Sequence, residues 1–260
     1  MHRFEGKVVI VTGAGSGIGA ATAQRFLQEG ALVTLNGRRE HKLRETLIGI
    51  NPAQALIHPG DVSDEFYVNR MVADTVAQFG KLDVLVNNAG MAIFGPFEQT
   101  TTADWRTVMG TNLDSVFFGA RAVLPHLLKS KGTIINLSSA SGVGGDWGMS
   151  GYNAAKGAVT NYTRALALEF GARGVRVNAV APSFTSTDAT AELGKNEVLL
   201  AAFRDRMPVG RAATPAEIAG VIAFLASDDA QFINGAILPV DGGLNASNGQ
   251  PNFLSLFKNA

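Results

Sequence analysis

The 260-residue sequence predicts an α/β fold, a doubly wound parallel β-sheet of about seven strands with helices on both faces. Three observations predict it. Short β-branched runs are apolar on successive residues, as strands buried on both faces are. Longer segments of helical period separate them, the alternation that right-handed β-α-β crossovers produce. A glycine-rich turn, Thr12-Gly13-Ala14-Gly15-Ser16-Gly17-Ile18-Gly19, joins the first run to the first helical segment.

In chain order the strand-like runs are 8–11, 31–35, 55–57, 82–86, 133–137, 175–180 and 236–240. Helical segments lie at 18–28, 64–79, 104–128 and 153–170. In the last, Ala155, Val159, Tyr162, Leu166 and Phe170 recur every three or four residues, which puts them on one face. Thr214-Pro215-Ala216-Glu217 marks another helix start, with a capping hydroxyl, proline at the first position and glutamate at N3. No linker, repeat or low-complexity tract divides residues 1–244, which read as one domain. Residues 183–207 stand outside the alternation, polar and alanine-rich, and fit a mobile helical flap. The tail, 245–260, is polar and then apolar over 253–257. It fits either a disordered end or one that docks on another subunit.

Hydrophobic residues make up 46% of the chain and charged ones 17%, enough for a core and against disorder. With 22 basic and 22 acidic residues the net charge is zero, which leaves no footprint for nucleic acid or an anionic membrane. There are no cysteines, so disulfides, thiolate zinc sites and a cysteine nucleophile are excluded. His2, His41, His58 and His126 are scattered without ligand spacing, and no metal is expected. No signal-peptide pattern and no run of about 18 apolar residues is present, so a cytoplasmic location is expected.

The glycine-rich turn lies between a buried strand and an amphipathic helix. Glycines there let the backbone approach a pyrophosphate, whose charge the helix N-terminus favours. No Gly-Lys-Ser/Thr follows, which argues against a P-loop. The second strand ends Leu35-Asn36-Gly37-Arg38-Arg39. A carboxylate at this point accepts from a ribose 2′-OH and repels a 2′-phosphate. Its absence, with Arg38 and Arg39 in its place, favours NADP(H), with NAD(H) as the alternative.

Tyr152 and Lys156 stand four residues apart, with Ser139 thirteen residues before the tyrosine. On a helix the pair shares a face, about 6 Å apart along the axis. An ammonium held there favours the phenolate, and a serine hydroxyl aimed at the same place can hold a carbonyl oxygen. Taken alone, the pair also fits a solvated helix face.

The glycine pattern, Tyr152/Lys156 and Asn87-Asn88-Ala89-Gly90 together resemble the short-chain dehydrogenase/reductase family. The resemblance runs from Gly6 to about Gly243 and takes in Asp61-Val62, Asn112, Ser139, Pro182 and Val240-Asp241-Gly242-Gly243. It implies Tyr152 as general acid/base, Lys156 lowering its pKa and reaching the nicotinamide ribose, and Ser139 polarising the substrate oxygen. Asn112 would hold a water linking Lys156 to solvent. Gly13, Ser16, Gly17, Ile18 and Gly19 would line the pyrophosphate, Asp61 and Val62 would flank adenine, and Asn88, Ala89 and Gly90 the adenosine ribose. Pro182 and Thr187 would meet the carboxamide. Pro182-Ser183 stands where the family usually has Pro-Gly, so a side chain is expected near the nicotinamide.

The activity implied is hydride transfer between a secondary alcohol or ketone and the cofactor, with no metal needed. Phe94, Asp146, Trp147 and Phe184, with Ser139, are the expected substrate pocket. Members of this length are commonly homotetramers. Two rival readings stay open: an epimerase or dehydratase on a related fold, and a non-catalytic cofactor sensor.

Overall fold

The computed structural model describes residues 2–250 and 252–257; residues 1, 251 and 258–260, at the chain start and in the expected tail, lie outside the described residues. Among the described residues the strands are β1 (Val8–Val11), β2 (Leu32–Gly37), β3 (Ala55–Pro59), β4 (Val84–Asn87), β5 (Thr133–Leu137), β6 (Arg176–Pro182) and β7 (Ile237–Val240). They form one seven-stranded sheet in the order β3-β2-β1-β4-β5-β6-β7, every pairing parallel. The helices are α1 (Gly17–Gln28), α2 (Glu40–Thr46), α3 (Glu65–Phe79), α4 (Thr102–Met109), α5 (Ser115–Ser130), α6 (Ser150–Gly171), α7 (Glu197–Arg206) and α8 (Pro215–Ala226).

Alternate residues of each strand feed two cores, which is why the runs are apolar at every position. Val9 and Val11 pack with Phe26, Leu43, Ile218 and Ile222 under α1, α2 and α8. Val8 and Ile10 pack with Val68, Met71, Val123 and Phe170 under α3, α5 and α6. Element ends follow local chemistry. Asp64 Oδ1 accepts from the N–H groups of Phe66 and Tyr67 at 2.9 and 3.3 Å and starts α3, which Gly80 closes at φ 80°. Thr214 and Glu217 form the capping box at α8 that the sequence predicts.

One helix departs from expectation. The stretch 104–128 is continuous in pattern but is split into α4 and α5 by a π-helical turn at Gly110–Asp114. Asn112 Nδ2 donates to Val108 O four residues back at 2.8 Å, a side-chain bond of the kind that competes with the ladder. The flap residues form short 3₁₀ turns at Asp188–Thr190 and Leu193–Lys195 followed by α7. No helix among the described residues is long and apolar enough to cross a membrane.

Because all strands are parallel, their C-terminal ends share one edge. The chain direction across the sheet reverses between β1 and β4, where ligands of such sheets bind.

Candidate active site

The crevice begins at the glycine turn after β1. Thr12 Oγ1 accepts from the main-chain N–H groups of Asn88 and Ala89 at 2.9 and 3.0 Å, and Asn88 Nδ2 donates to Thr12 O at 2.8 Å. These bonds pull the turn against the end of β4. Only glycine tolerates the approach: a Cβ on Gly19 would lie 2.2 Å from Gly13 O, and one on Gly13, already at φ 66°, 2.9 Å from Asn88 Nδ2. Ser16 precedes α1 in extended conformation and makes no side-chain cap bond. The leading N–H groups of a helix have no partner within it, so those at Gly17, Ile18 and Gly19 are placed to receive an anion. Thr187, from the flap, covers this turn: a Cβ on Gly17 would lie 3.0 Å from Thr187 Cγ2.

At the end of β2, Arg38 and Arg39 are exposed, and Arg38 makes no ion pair among the described residues. Asn36 is turned away, its Nδ2 donating to Tyr67 OH at 2.9 Å and to His58 O and Gly60 O. Asp61 is exposed and accepts from the N–H and hydroxyl of Ser63 at 2.9 and 2.8 Å, whereas Val62 is 5% exposed and belongs to the α3 core. Asn87 donates to Asn136 Oδ1 of β5 at 2.9 Å and braces the sheet. A glycine cradle and open helix N–H groups, with exposed cationic side chains at the end of β2, fit a dinucleotide.

From Gly90 the crevice continues into the proton-handling cluster. A Cβ on Gly90 would lie 2.7 Å from Asn112 Oδ1 and 3.5 Å from Lys156 Nζ. Lys156 is 3% exposed, and its Nζ donates to Leu137 O at 2.5 Å and lies 5.7 Å from the Tyr152 ring centre. Burial brings the ammonium down to about 8. The phenol of Tyr152 is pushed up, first by burial; a hydrogen bond with Ser139 works the other way, and the carboxylate of Asp146 raises it further. Burial is thus the largest influence on the phenol, against the lowering expected from Lys156.

Of the two adjacent serines, Ser138 is turned to Thr160 Oγ1 at 2.5 Å, and Ser139 meets Tyr152. Asn112 is fully buried, with its amide spent on Met91 N, Met91 O and Val108 O at 3.2, 2.8 and 2.8 Å. Its side chain therefore ties the loop after β4 to the π-helical turn. Pro182 is buried at the end of β6. Ser183 is oriented by a 3.0 Å bond to Asp241 O and by contact with Met207 Sδ, so its hydroxyl is engaged rather than free to narrow the pocket.

A cavity of about 130 Å³ lies beside Tyr152, lined by Phe94, Trp105, Val108, Gly148 and Ser150 among others. Of the expected pocket residues, Phe94 lines it, while Ser139 and Asp146 are not among the residues that do. Trp147 is 87% exposed, beside the left-handed turn of Gly148 at φ 72°, and does not line the cavity. Phe184 stacks on Phe203 of α7 at 4.6 Å and holds the flap. Sequence reasoning missed Thr12, Trp105 and Ser141. Ser141, two residues after Ser139, offered no signal beyond that proximity.

A parallel sheet carrying a dinucleotide cradle that leads to a Tyr-Lys-Ser cluster defines an NAD(P)-dependent oxidoreductase. A family model described as enoyl-(acyl carrier protein) reductase matches residues 13–245. The meso-2,3-butanediol dehydrogenase of Serratia marcescens is 47% identical over 252 residues, covering 97% of this chain and 100% of that one. The glucose 1-dehydrogenase of Gluconobacter oxydans is 44% identical over 247 residues, covering 93% of each. The crystal structure of levodione reductase superposes with a TM-score of 0.90 at 36% identity, covering 94% of this chain and 99% of that one. The chain belongs to the short-chain dehydrogenase/reductase family.

Proposed function

We propose that this protein transfers a hydride between NADP(H) and a secondary alcohol or ketone, with Tyr152 as general acid/base. The observation that carries the reading is the row of close approaches from Gly13 and Gly19 at Asn88 to Gly90 at Asn112 and Lys156, with the Tyr152 ring beside Lys156. The nicotinamide supplies or takes the hydride when bound. Tyr152 gives its proton to the carbonyl oxygen in reduction and takes the hydroxyl proton in oxidation. Ser139 donates to the same oxygen as charge develops on it. Lys156, a buried cation beside the ring, favours the phenolate that follows proton transfer. Asn112 positions the loop carrying Gly90 and Met91 against α6, and any water held there would meet its main chain.

The substrate class favoured is a small vicinal diol or the matching hydroxyketone, because the relative matched over its whole length bears a butanediol dehydrogenase name. Exposed Phe117 on α5 and Leu168 on α6 support the homotetramer, taken as cytoplasmic. Absorbance at 340 nm with NADPH or NADH tests the reading against acetoin, butane-2,3-diol, glucose and cyclic diketones. Turnover with acetoin and butane-2,3-diol is the expected outcome, and none with any ketone or alcohol would overturn it.

The NADP(H) preference rests on the exposed Arg38 and on Asn36 being committed to the sheet edge. Gly37→Asp places a carboxylate at the ribose position. Its Cβ would lie 3.2 Å from Leu43 Cδ2, a side-chain end that can give way. The kcat/KM ratio of NADH to NADPH is expected to rise by about tenfold or more, the equivalent of ~1.4 kcal/mol. An unchanged ratio would remove the assignment.

A further inference from the structure

The end of the site expected to hold adenosine stands on a polar cluster that the reaction does not use. Asn36 on β2, His58 on β3 and Tyr67 in the first turn of α3 are 1%, 8% and 8% exposed. Their side chains meet at one phenol oxygen. Tyr67 OH donates to His58 O at 2.7 Å, Asn36 Nδ2 donates to Tyr67 OH at 2.9 Å, and His58 Nδ1 lies 2.7 Å from it. His58 Nε2 is in turn 3.0 Å from Asp74 Oδ2. Burial, above all, pushes the phenol up to about 12, so it keeps its proton at neutral pH. Tyr67 otherwise belongs to the apolar core of Val62, Val68 and Met71. Polar side chains cost free energy in such a place unless they are bonded, and apolar ones of the same shape can be as stable. What a fully bonded cluster adds is a fixed geometry.

The geometry fixed here is that of two strand ends. β3 is the edge of the sheet and pairs only with β2. Asn36 and Gly37 face His58 and Pro59 at the last positions of that pairing, and Gly60 N donates to Gly37 O at 3.2 Å just beyond them. Asn36 Nδ2 also reaches across to Gly60 O at 3.2 Å. Gly60 lies against the phenol ring, since a Cβ there would stand 1.9 Å from Tyr67 Cε2. At the far end of the loop, Asp64 Oδ1 accepts from the Tyr67 N–H at 3.3 Å. Both ends of the loop 60–64 therefore close on one tyrosine. That loop carries Asp61 and Val62, and the neighbouring strand end leads into Arg38.

We propose that Tyr67 and Asn36 are positioning residues for the adenosine half of the cofactor, which set the spacing between Gly37-Arg38 and Asp61-Val62. The proposal rests on the reading of this site as a dinucleotide site. Tyr67→Phe removes one oxygen and keeps the ring against Gly60. Asn36 Nδ2 retains His58 O and Gly60 O, and His58 retains Asp74, so no buried group is orphaned and the fold survives. What is lost is the bond that locks the two strand ends to α3. NADPH and NADH share the adenosine half, so both weaken together, whereas Gly37→Asp changes their ratio.

The test compares wild type, Tyr67→Phe and Asn36→Ala as intact proteins, with the best substrate of the panel. It measures kcat, the KM of NADPH, of NADH and of the substrate, and competitive inhibition by 5′-AMP, with thermal unfolding alongside. The KM of each cofactor and the inhibition constant of 5′-AMP are expected to rise together by about three- to tenfold, the scale of one net hydrogen bond. Over the same series kcat and the substrate KM stay within about twofold, the pattern of lost uniform binding. A brace that serves stability alone would lower Tm and leave all these constants in place. Unchanged cofactor KM and 5′-AMP inhibition in a folded variant therefore overturn the assignment while the dinucleotide site stands. So does a fall in kcat with cofactor KM unmoved. Either variant decides alone if the other does not fold. Wild type that binds none of NADPH, NADH and 5′-AMP overturns both readings.

Discussion

Tyr152→Phe is expected to lose turnover by roughly 10²–10⁴-fold, the range in which positioned acid/base groups act, while NADPH still binds. The substitution removes one oxygen and keeps the ring. That ring sits beside the Lys156 ammonium and walls the cavity shared with Phe94 and Trp105, so packing survives. What disappears is the group that exchanges a proton with the substrate oxygen. The Ser139 hydroxyl remains to hold that oxygen, which leaves residual binding without proton transfer. Rates at 340 nm and a nucleotide titration by fluorescence separate the two effects. Turnover within about tenfold of wild type, well short of the loss expected for a general acid, would exclude Tyr152.

Gly19→Ala is expected to strike the other end of the crevice. Its Cβ would stand 2.2 Å from Gly13 O and 2.4 Å from Asn88 Nδ2, and the first of these is backbone that cannot swing aside. Relief requires α1 to move away from the ends of β1 and β4, which opens the cradle that the Thr12–Asn88 bonds close. Overpacking of this kind costs about 1–3 kcal/mol, and each kcal/mol lowers Tm by about 2–4 °C in a domain of this size. The same displacement is expected to weaken NADPH by about tenfold or more, ~1.4 kcal/mol. Thermal unfolding with and without NADPH measures both. Unaltered affinity would mean that the turn does not hold phosphate.

The architecture was legible because burial on both faces leaves a plain mark in a parallel strand. The runs at 8–11 and 133–137 coincide with β1 and β5. Strand ends were less legible. β2 and β3 extend through Asn36-Gly37 and His58-Pro59, residues paired by backbone register with no apolar signature. The short α2 escaped because seven residues make too little of a helical pattern. At the site, Tyr152, Lys156 and Ser139 were legible by spacing because one helix and one strand end carry them. The side-chain directions of Trp147, Ser183 and Asn112 were not, being set by bonds to Asp241, Met91 and Val108 and by the turn at Gly148.

The π-helical turn has a bearing on phase. Each residue of an α-helix advances the azimuth by about 100°, so a turn that holds an extra residue re-aims everything after it. α4 presents Val108 and Trp105 to the cavity beside α6, whereas α5 turns Val116, Ala120, Val123 and Leu127 to the sheet. Gly110–Asp114 is the gearing between these two headings, and Asn112 is its pin. A chain one residue shorter there would keep both helices and every apolar side chain, yet rotate one row of them out of alignment.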